Sequence, residues 1–197
     1  ACEAISGFRF VNGYPGEAPV RPNLSIGDTV SGLHAVIGIL MALRSRDEAA
    51  KEGKSGGQVV DVALYESMFN LLEAVIPEYD GAGVIRQPSG TTVTGIVPTN
   101  TYKCADGKFL VIGGNGDSIF VRLMQAVGRA DIAGDEKYST NANRVTHEQE
   151  IDKVLASWCS NLPLAEAMRI LEASRVPCGP VYSAVEMVAD EHFNYWG

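Results

Sequence analysis

DTVSGLHAVIGILMALR, residues 28–44, is the stretch that decides the fold. Apolar side chains recur in it at helical spacing and fill most of the remaining positions. A helix that is apolar on most faces belongs in the interior of a protein. We therefore expect a helix that begins at Asp28, is buried on most sides, and is packed closely by another segment at Gly32 and Gly38. Because polar residues interrupt the run before it reaches the roughly 20 apolar residues of a membrane span, we interpret it as a core helix.

The segments around this helix predict an α/β architecture. Residues 1–27 are rich in Gly and Pro, which is typical of a loop-rich segment, and residues 47–57 have the composition of an exposed connection. The β-branched residues 58–62, QVVDV, predict a short strand. Apolar positions over residues 65–76 then recur at helical spacing. A helix, a strand and a helix in succession favour an α/β fold.

The second part of the chain has a different pattern. Residues 78–95 contain several Gly and Thr and few large apolar side chains, which predicts a linker. Asp106-Gly107 lies between alternating runs at 100–103 and 108–112 and predicts a hairpin. A helix is predicted over residues 117–127, before Gly128. These features are typical of a small α+β unit.

Three later helix starts are predicted from capping patterns. Thr146 with Gln149, and Ser183 with Glu186, match the capping box, and Pro163 suits a first helical turn. The chain is therefore divided into three predicted parts: residues 1–77, the C-terminal part of a large domain; residues 78–95, a linker; and residues 96–197, a small α+β domain.

Composition and charge restrict the class of protein. The 197 residues are 46% hydrophobic and 20% charged, which excludes a disordered tail, a collagen-like fibre and a small disulfide scaffold. With 24 acidic and 16 basic residues the net charge is −8, so we expect neither nucleic acid nor a membrane as a partner. The four cysteines are scattered without CxxC or metal-ligand spacing, which predicts reduced thiols.

Asp28 is the first candidate for chemistry, because it lies where the apolar helix begins. Unpaired backbone N–H groups and the partial positive charge of a helix N-terminus keep a carboxylate ionised and oriented. Such a carboxylate can act as a nucleophile. The alternative is that Asp28 only caps the helix, since Asp is a preferred N-cap residue.

The second candidate is the loop formed by Gly113, Gly114, Asn115 and Gly116, between a predicted strand and a predicted helix. Glycines let backbone amides approach a ligand closely, and the following helix N-terminus favours an anion or a developing oxyanion. The alternative is a turn that only requires the backbone freedom of glycine.

The remaining polar residues predict less. Arg21 precedes Asp28 by a few residues and either contacts an anionic substrate or forms a surface ion pair. His34 lies on a different face of the helix from Asp28, at about 100° per residue, and we interpret it as a hydrogen-bonded core histidine. No pair of histidines has metal-ligand spacing, so no metal site is predicted.

Several short motifs occur in a characteristic order along the chain. They are Ser6-Gly7-Phe8, Val20-Arg21-Pro22 with Gly27-Asp28, Gly57-Gln58-Val59-Val60-Asp61-Val62-Ala63-Leu64, Asp106-Gly107-Lys108-Phe109 with the glycine loop, Asn143-Arg144-Val145, and Val176-Pro177-Cys178-Gly179-Pro180-Val181. With these motifs the chain resembles the class III (CaiB/BaiF-type) coenzyme A transferases, such as formyl-CoA and succinyl-CoA transferases, over almost its whole length.

The resemblance implies a role for each candidate. A catalytic aspartate precedes this helix in the family, and Asp28 stands at the matching position. Its carboxylate is expected to attack an acyl-CoA thioester and then to carry CoA as an aspartyl thioester until a carboxylic acid accepts it. The family's glycine-rich loop covers this intermediate and corresponds to Gly113 through Gly116. The expected substrates are an acyl-CoA and a small carboxylic acid, with no tightly bound cofactor.

The resemblance also implies the fold and the assembly. The expected fold is α/β, with part of a Rossmann-like large domain followed by the small α+β domain. The chain is expected to be a central fragment that lacks the N-terminal portion supplying most contacts to the CoA nucleotide. Full-length members are interlocked homodimers. We expect a cytoplasmic location, with a mitochondrial or peroxisomal one left open.

Two alternatives remain at this stage. An α-methylacyl-CoA racemase has the same fold and needs acid and base groups on two sides of the α-carbon. Its upstream histidine has no counterpart in residues 1–27, and the spacing from Arg21 to Asp28 is more similar to that of a transferase. A non-catalytic CoA-binding or structural module would use Asp28 as a cap and the glycine loop as a turn.

Overall fold

The computed structural model describes residues 1–196, the last of them by its backbone alone. The chain divides into two compact units, unit 1 (residues 1–90) and unit 2, which begins at Thr91. Each unit has its own packing and is described by itself. The assignment of residues 1–77 to part of a larger domain stays a prediction.

Unit 1 consists of helices joined by loops. Its elements are α1 (Cys2–Ile5), α2 (Phe8–Val11), α3 (Ile26–Lys51), α4 (Leu64–Phe69) and α5 (Val75–Ala82). Helix α3 is the longest, α4 packs against it, and α1 packs against both α2 and α4. Helix α4 therefore connects the packing of α1 with that of α3.

Helix α3 differs from its prediction in extent and in burial. It begins two residues before Asp28, and the charged residues 47–51 extend it. The expectation of burial on most sides is not met in this structure, because Leu33, Leu40 and Met41 are each at least 60% exposed. The described residues of unit 1 cover only part of its circumference. A close neighbour exists at Gly38, where a Cβ would lie 2.6 Å from Val60 Cγ1, but at Gly32 no described atom lies within 4 Å.

By length and composition alone, α3 could cross a membrane. Its most apolar window has a mean hydropathy of 1.6. The core helices of soluble proteins meet the same criterion, so the interpretation of α3 as a core helix stays a prediction.

Residues 58–62 do not form the predicted strand. They have no regular secondary structure, and Val59 is 94% exposed. A strand exists only where a neighbouring strand pairs its N–H and C=O groups. The described residues of unit 1 contain no strand that could do so.

The helix predicted over residues 65–76 is broken into α4 and α5. Between them Glu73 adopts the left-handed conformation with φ of 51°. Pro77 explains why a new helix begins at Val75, since it is then in the first turn of α5, where its missing N–H is not needed. Because α5 continues to Ala82, the first residues of the predicted linker are helical.

Unit 2 is built on an antiparallel three-stranded sheet. Its strands are β1 (Thr99–Lys103), β2 (Phe109–Gly113) and β3 (Cys178–Pro180), in the order β1-β2-β3. The predicted hairpin is confirmed, with Tyr102 paired to Leu110 and Gly107 in the turn at φ of 81°. Strand β3 was not predicted, because three residues are too few to show alternation.

Helices and one 3-10 turn make up the other described regular elements of unit 2. They are α6 (Asp117–Ala126), α7 (Ala130–Ala133), a 3-10 turn (Glu136–Tyr138), α8 (Asn141–Thr146), α9 (Glu148–Ser160), α10 (Leu164–Ala173), α11 (Ala184–Ala189) and α12 (Glu191–Trp196). The predicted helix over 117–127 is confirmed as α6. The mixed α/β class is therefore confirmed for the chain as a whole.

Two of the three predicted helix starts are confirmed. Pro163 is the N-cap of α10, and Ser183 forms the capping box with Glu186 at the start of α11. The prediction for Thr146 is wrong, because this residue ends α8. Its hydroxyl donates to the Asn143 carbonyl at 2.7 Å, within α8, and is therefore not positioned to cap α9.

The core of unit 2 lies between the sheet and the longer helices. Leu110 and Ile112 of β2 are fully buried, together with Leu123 of α6, Leu155 of α9 and Leu171 of α10. This continuous cluster fixes the ends of β2 and the start of α6, between which the glycine loop lies.

The cysteines behave as the sequence predicts for reduced thiols. Cys104 and Cys159 are buried, and all four cysteines are unpaired. Burial raises the pKa of the Cys159 thiol to about 12.

Because only the thiolate is a nucleophile, we expect Cys159 of the folded protein not to react with iodoacetamide at about pH 8, and to react after denaturation in urea. Peptide mass spectrometry checks this, and equal labelling before and after denaturation would contradict it.

Candidate functional site

Asp28 is the third residue of α3, and its side chain is exposed. The N-cap position belongs to Ser25, so Asp28 is not itself the N-cap residue. In the first turn a carboxylate lies near the unpaired N–H groups and the positive end of the helix dipole, which favour a negative charge. An exposed, dipole-oriented carboxylate is chemically suited to act on a substrate.

Packing fixes the turn that carries Asp28. A Cβ at Gly27 would lie 2.8 Å from Cys2 Sγ, which is too close, so glycine lets α1 pack against the start of α3, while Met68 Cγ of α4 would lie at an ordinary contact distance of 3.6 Å. Ser31 Oγ donates to the Gly27 carbonyl at 2.7 Å. These contacts lie on the buried side of the turn and leave Asp28 on the exposed side.

Arg21 has a carboxylate partner in the same unit. Its Nε lies 3.8 Å from Glu3 Oε1, and Glu3, which is buried, also accepts a hydrogen bond from Arg9 Nε at 3.2 Å. The Arg21 side chain is still 56% exposed. The ion pair agrees with the simpler of the two interpretations of Arg21, and a substrate contact stays a prediction.

The other polar residue of unit 1 singled out from the sequence is His34. His34 is half-buried, and its Nε2 lies 3.3 Å from Asn70 Nδ2. Across residues 1–196 no group of three or more His, Cys, Asp or Glu side chains could hold a metal ion.

The glycine loop lies in unit 2, at the end of β2. The Gly113 amide donates to the Pro177 carbonyl at 2.9 Å, and the Gly114 amide donates to the Pro98 carbonyl at 2.8 Å. Two of the loop's amides are thus used within the protein, which leaves the part around Asn115 and Gly116 to meet a ligand.

Gly114 is required by packing rather than by an unusual backbone angle. A Cβ at this position would lie 2.6 Å from Leu123 Cδ2 and 3.1 Å from Pro98 Cγ.

We expect Gly114→Ala to lower the free energy of unfolding of unit 2 by about 1–3 kcal/mol through overpacking. Hydrogen exchange of the β2 amides measures this. Gly179→Ala is the control, because a Cβ at Gly179 would have no atom within 4 Å. Gly128→Ala is unsuitable, because the positive φ of Gly128 would itself strain an alanine. Equal effects of the two variants would contradict the prediction.

The surface beside the loop is acidic. A depression of about 410 Å³ lies at the first turn of α6 and is lined in part by Asp117, Asp135 and Glu136. These three carboxylates disfavour the binding of a further anion in this depression. An anionic acceptor would therefore be expected on a side of the loop other than this one.

Arg144 is a residue of this region whose structural role sequence reasoning missed. It is fully buried on α8, and it donates to the Asn115 carbonyl and to the Asp117 carboxylate. Asn143-Arg144-Val145 was visible as a motif, but periodicity does not distinguish a buried arginine from a solvated one. Asp28 with Arg21 lies in unit 1, whereas the loop with Arg144 lies in unit 2.

Comparison with known proteins gives a consistent family. The model of CoA-transferase family III matches residues 1–197. The chain is 38% identical to the succinyl-CoA–D-citramalate CoA-transferase of Chloroflexus aurantiacus, over 97% of this chain and 46% of that protein. It is 29% identical to the formyl-CoA:oxalate CoA-transferase of Streptomyces avermitilis, over 95% of this chain and 48% of that protein.

The fold agrees with solved structures of the same kind. A CaiB/BaiF family protein from Brucella suis superposes with a TM-score of 0.78 at 26% identity, covering 100% of this chain and 50% of the other. This confirms the expected CaiB/BaiF-type fold. The chain spans about half the length of the curated relatives it matches.

Proposed function

Because the chain belongs to CoA-transferase family III, we propose that the full-length protein transfers CoA from an acyl-CoA to a carboxylic acid, with Asp28 as the nucleophile. The observation that carries this proposal is the placement of Asp28. It is exposed in the first turn of α3, on a turn whose opposite side is fixed by packing at Gly27.

The proposed reaction proceeds in two reversible halves. An oxygen of the Asp28 carboxylate attacks the thioester carbonyl of the donor, the C–S bond breaks, and CoA leaves as the thiolate with a mixed anhydride formed. The thiolate then attacks the Asp28 carbonyl of the anhydride and releases the donor acid as its carboxylate. The acceptor carboxylate repeats these steps in reverse and leaves as the new acyl-CoA. This covalent relay divides one difficult exchange into easier steps.

The loop of Gly113, Gly114, Asn115 and Gly116 is proposed to cover the intermediate. Its role would be to limit access of water, because hydrolysis of the anhydride or of the aspartyl thioester wastes the donor. Support comes from the resemblance and from the loop's position before the N-terminus of α6. The interlocked homodimer is proposed from the resemblance alone. The contact of Arg21 with an anionic substrate is proposed from its position a few residues before Asp28, and a cytoplasmic location is also proposed.

The names of the relatives suggest the substrate class. Relatives at 38% and 34% identity are CoA-transferases named for succinyl-CoA with D-citramalate and with L-malate. We therefore propose succinyl-CoA as the first donor to assay and small hydroxydicarboxylic acids as acceptors. Formyl-CoA and oxalate, which are named for a relative at 29% identity, form the comparison set.

The experiment is a transfer assay on the full-length protein. Succinyl-CoA is incubated with each acceptor, and the new acyl-CoA is identified by liquid chromatography and mass spectrometry. Formation of the acceptor's CoA thioester with release of succinate supports the proposal. Exchange of the α-proton of a 2-methylacyl-CoA for deuterium, without transfer to any acceptor, would instead support the racemase alternative.

A further inference from the structure

Arg144 is the largest fully buried side chain in the described part of the chain. A guanidinium taken out of water is costly unless its donors meet acceptors. A cation in such a position therefore needs a dense set of partners, and the segments that supply those partners are held in fixed relative positions.

The partners of Arg144 come from three separate segments of unit 2. Its Nε donates to the Val97 carbonyl at 3.0 Å and its Nη1 to the Tyr138 carbonyl at 2.9 Å. Its Nη2 donates to the Asn115 carbonyl at 2.5 Å and to Asp117 Oδ1 at 2.8 Å. One nitrogen thus holds both the glycine loop and the first residue of α6.

The glycine loop is also bonded to the segment Val97-Pro98, which Arg144 holds through its Nε. Val97 is followed by Pro98, whose carbonyl accepts the hydrogen bond from the Gly114 amide. The guanidinium lies 4.7 Å from the centre of the Phe120 ring, one turn into α6. Arg144 therefore holds the loop directly, at Asn115, and indirectly, through the segment Val97-Pro98 that precedes β1.

The pair with Asp117 differs from the other contacts because it is accessible. Asp117 is 65% exposed, whereas Arg144 has no exposed side-chain surface. Substituting Asp117 removes one contact of the guanidinium and leaves its three backbone acceptors in place. The chain therefore offers a mild and a severe way to disturb the same loop.

We propose that Arg144 is a positioning residue for CoA transfer, which holds residues 113–117 in the single conformation that covers the acyl intermediate. This inference rests on the proposed function, because it takes the covering role of the loop from it. A loop that is no longer held admits water. The acyl group is then lost to hydrolysis before the acceptor arrives.

The test compares hydrolysis with transfer in the full-length protein. Arg144→Lys keeps the charge but loses the fork of donors, and Asp117→Asn loses the ion pair alone. With succinyl-CoA and an acceptor, the ratio of hydrolysed to transferred acyl groups is expected to rise about 10-fold in Arg144→Lys and severalfold in Asp117→Asn. We expect kcat to fall by up to about 10²-fold, with little change in the KM for the donor.

Leu110→Ala is the control for a purely structural effect. Leu110 is buried in the same unit but belongs to β2 and makes none of the Arg144 contacts. This variant is expected to lose stability without a change in the ratio. An unchanged ratio in folded Arg144→Lys and Asp117→Asn would overturn the inference, and so would a ratio raised equally in Leu110→Ala. If Arg144→Lys fails to fold, Asp117→Asn decides.

Hydrogen exchange separates this inference from the proposed function. Amides of residues 115–118 are expected to exchange faster in Arg144→Lys and Asp117→Asn, with the amides of β1 and of residues 109–112 in β2 unchanged. Unchanged exchange at 115–118 would overturn the positioning role even in an active enzyme. A wild-type protein that transfers no CoA would overturn the proposed function, and the exchange measurement would still decide whether Arg144 holds the loop.

Discussion

Asp28→Asn is expected to abolish CoA transfer, with kcat lowered by about 10⁴-fold or more, the scale on which loss of a covalent nucleophile acts. The amide has nearly the same shape as the carboxylate but is a poor nucleophile and cannot form the anhydride. Because Asp28 is exposed, the free energy of unfolding should change by no more than about 1 kcal/mol, the contribution of a first-turn charge. Steady-state kinetics and thermal unfolding of the full-length protein measure the two effects.

Asp47→Asn is the matched control for this variant. Asp47 is an exposed aspartate on the same helix, and it pairs with Arg46 at 2.8 Å. An exposed ion pair contributes at most about 1 kcal/mol, so this variant should keep full transfer activity. Transfer by Asp28→Asn at the wild-type rate would remove Asp28 from the mechanism.

Leu110→Ala is expected to lower the stability of unit 2 strongly. Leu110 is fully buried in the central strand β2 and belongs to the main core cluster. Truncation of a buried leucine removes transferred apolar surface and leaves a cavity, which lowers the free energy of unfolding by about 2–5 kcal/mol. Hydrogen exchange of the β1 and β2 amides reports this loss.

Val111→Ala is the control on the opposite face of the same strand. Val111 is 39% exposed and follows Leu110 directly, so the two substitutions differ in burial but not in strand or pairing. A loss below about 1 kcal/mol is expected for Val111→Ala. Equal losses for the two variants would mean that the core is not on the Leu110 face of β2.

Local signals predicted the parts of the fold whose cause is local. The Asp106-Gly107 turn fixed the hairpin register, and Ser183 with Glu186 marked a helix start, because the deciding hydrogen bonds join residues close in sequence. Thr146 had the same pattern but bonds back to Asn143. The pattern alone does not say which of two neighbouring helices a Thr serves.

Features that depend on partners distant in sequence were not predicted correctly. The strand expected at residues 58–62 lacks a neighbour in unit 1, and the apolar faces of α3 are exposed for a related reason. A hydrophobic pattern shows which side chains favour burial, but it does not show whether other described residues are placed to cover them. The break between α4 and α5 has instead a local cause, because Pro77 is tolerated only in the first turn of a helix and α5 begins at Val75.

The candidate site was predictable in part. Asp28 was found from its place at the start of an apolar helix, and the structure adds that Gly27 anchors the same turn. The glycine loop was found from composition, but its close packing at Gly114 and its tie to Arg144 were not. Gly114 packs against Leu123 and Pro98, 9 and 16 positions away, and Arg144 is 29 positions from Asn115, so no helical or strand periodicity encodes these contacts.

The most direct test of the account is the identity of the residue that carries CoA. The full-length protein is incubated with succinyl-CoA without an acceptor, quenched in acid, digested with pepsin and analysed by mass spectrometry, with a parallel sample treated with hydroxylamine. The account predicts a CoA thioester on the peptide that contains Asp28, converted to the hydroxamate at Asp28 by hydroxylamine and absent from Asp28→Asn. An adduct on another residue, or transfer without any adduct at Asp28, would contradict it.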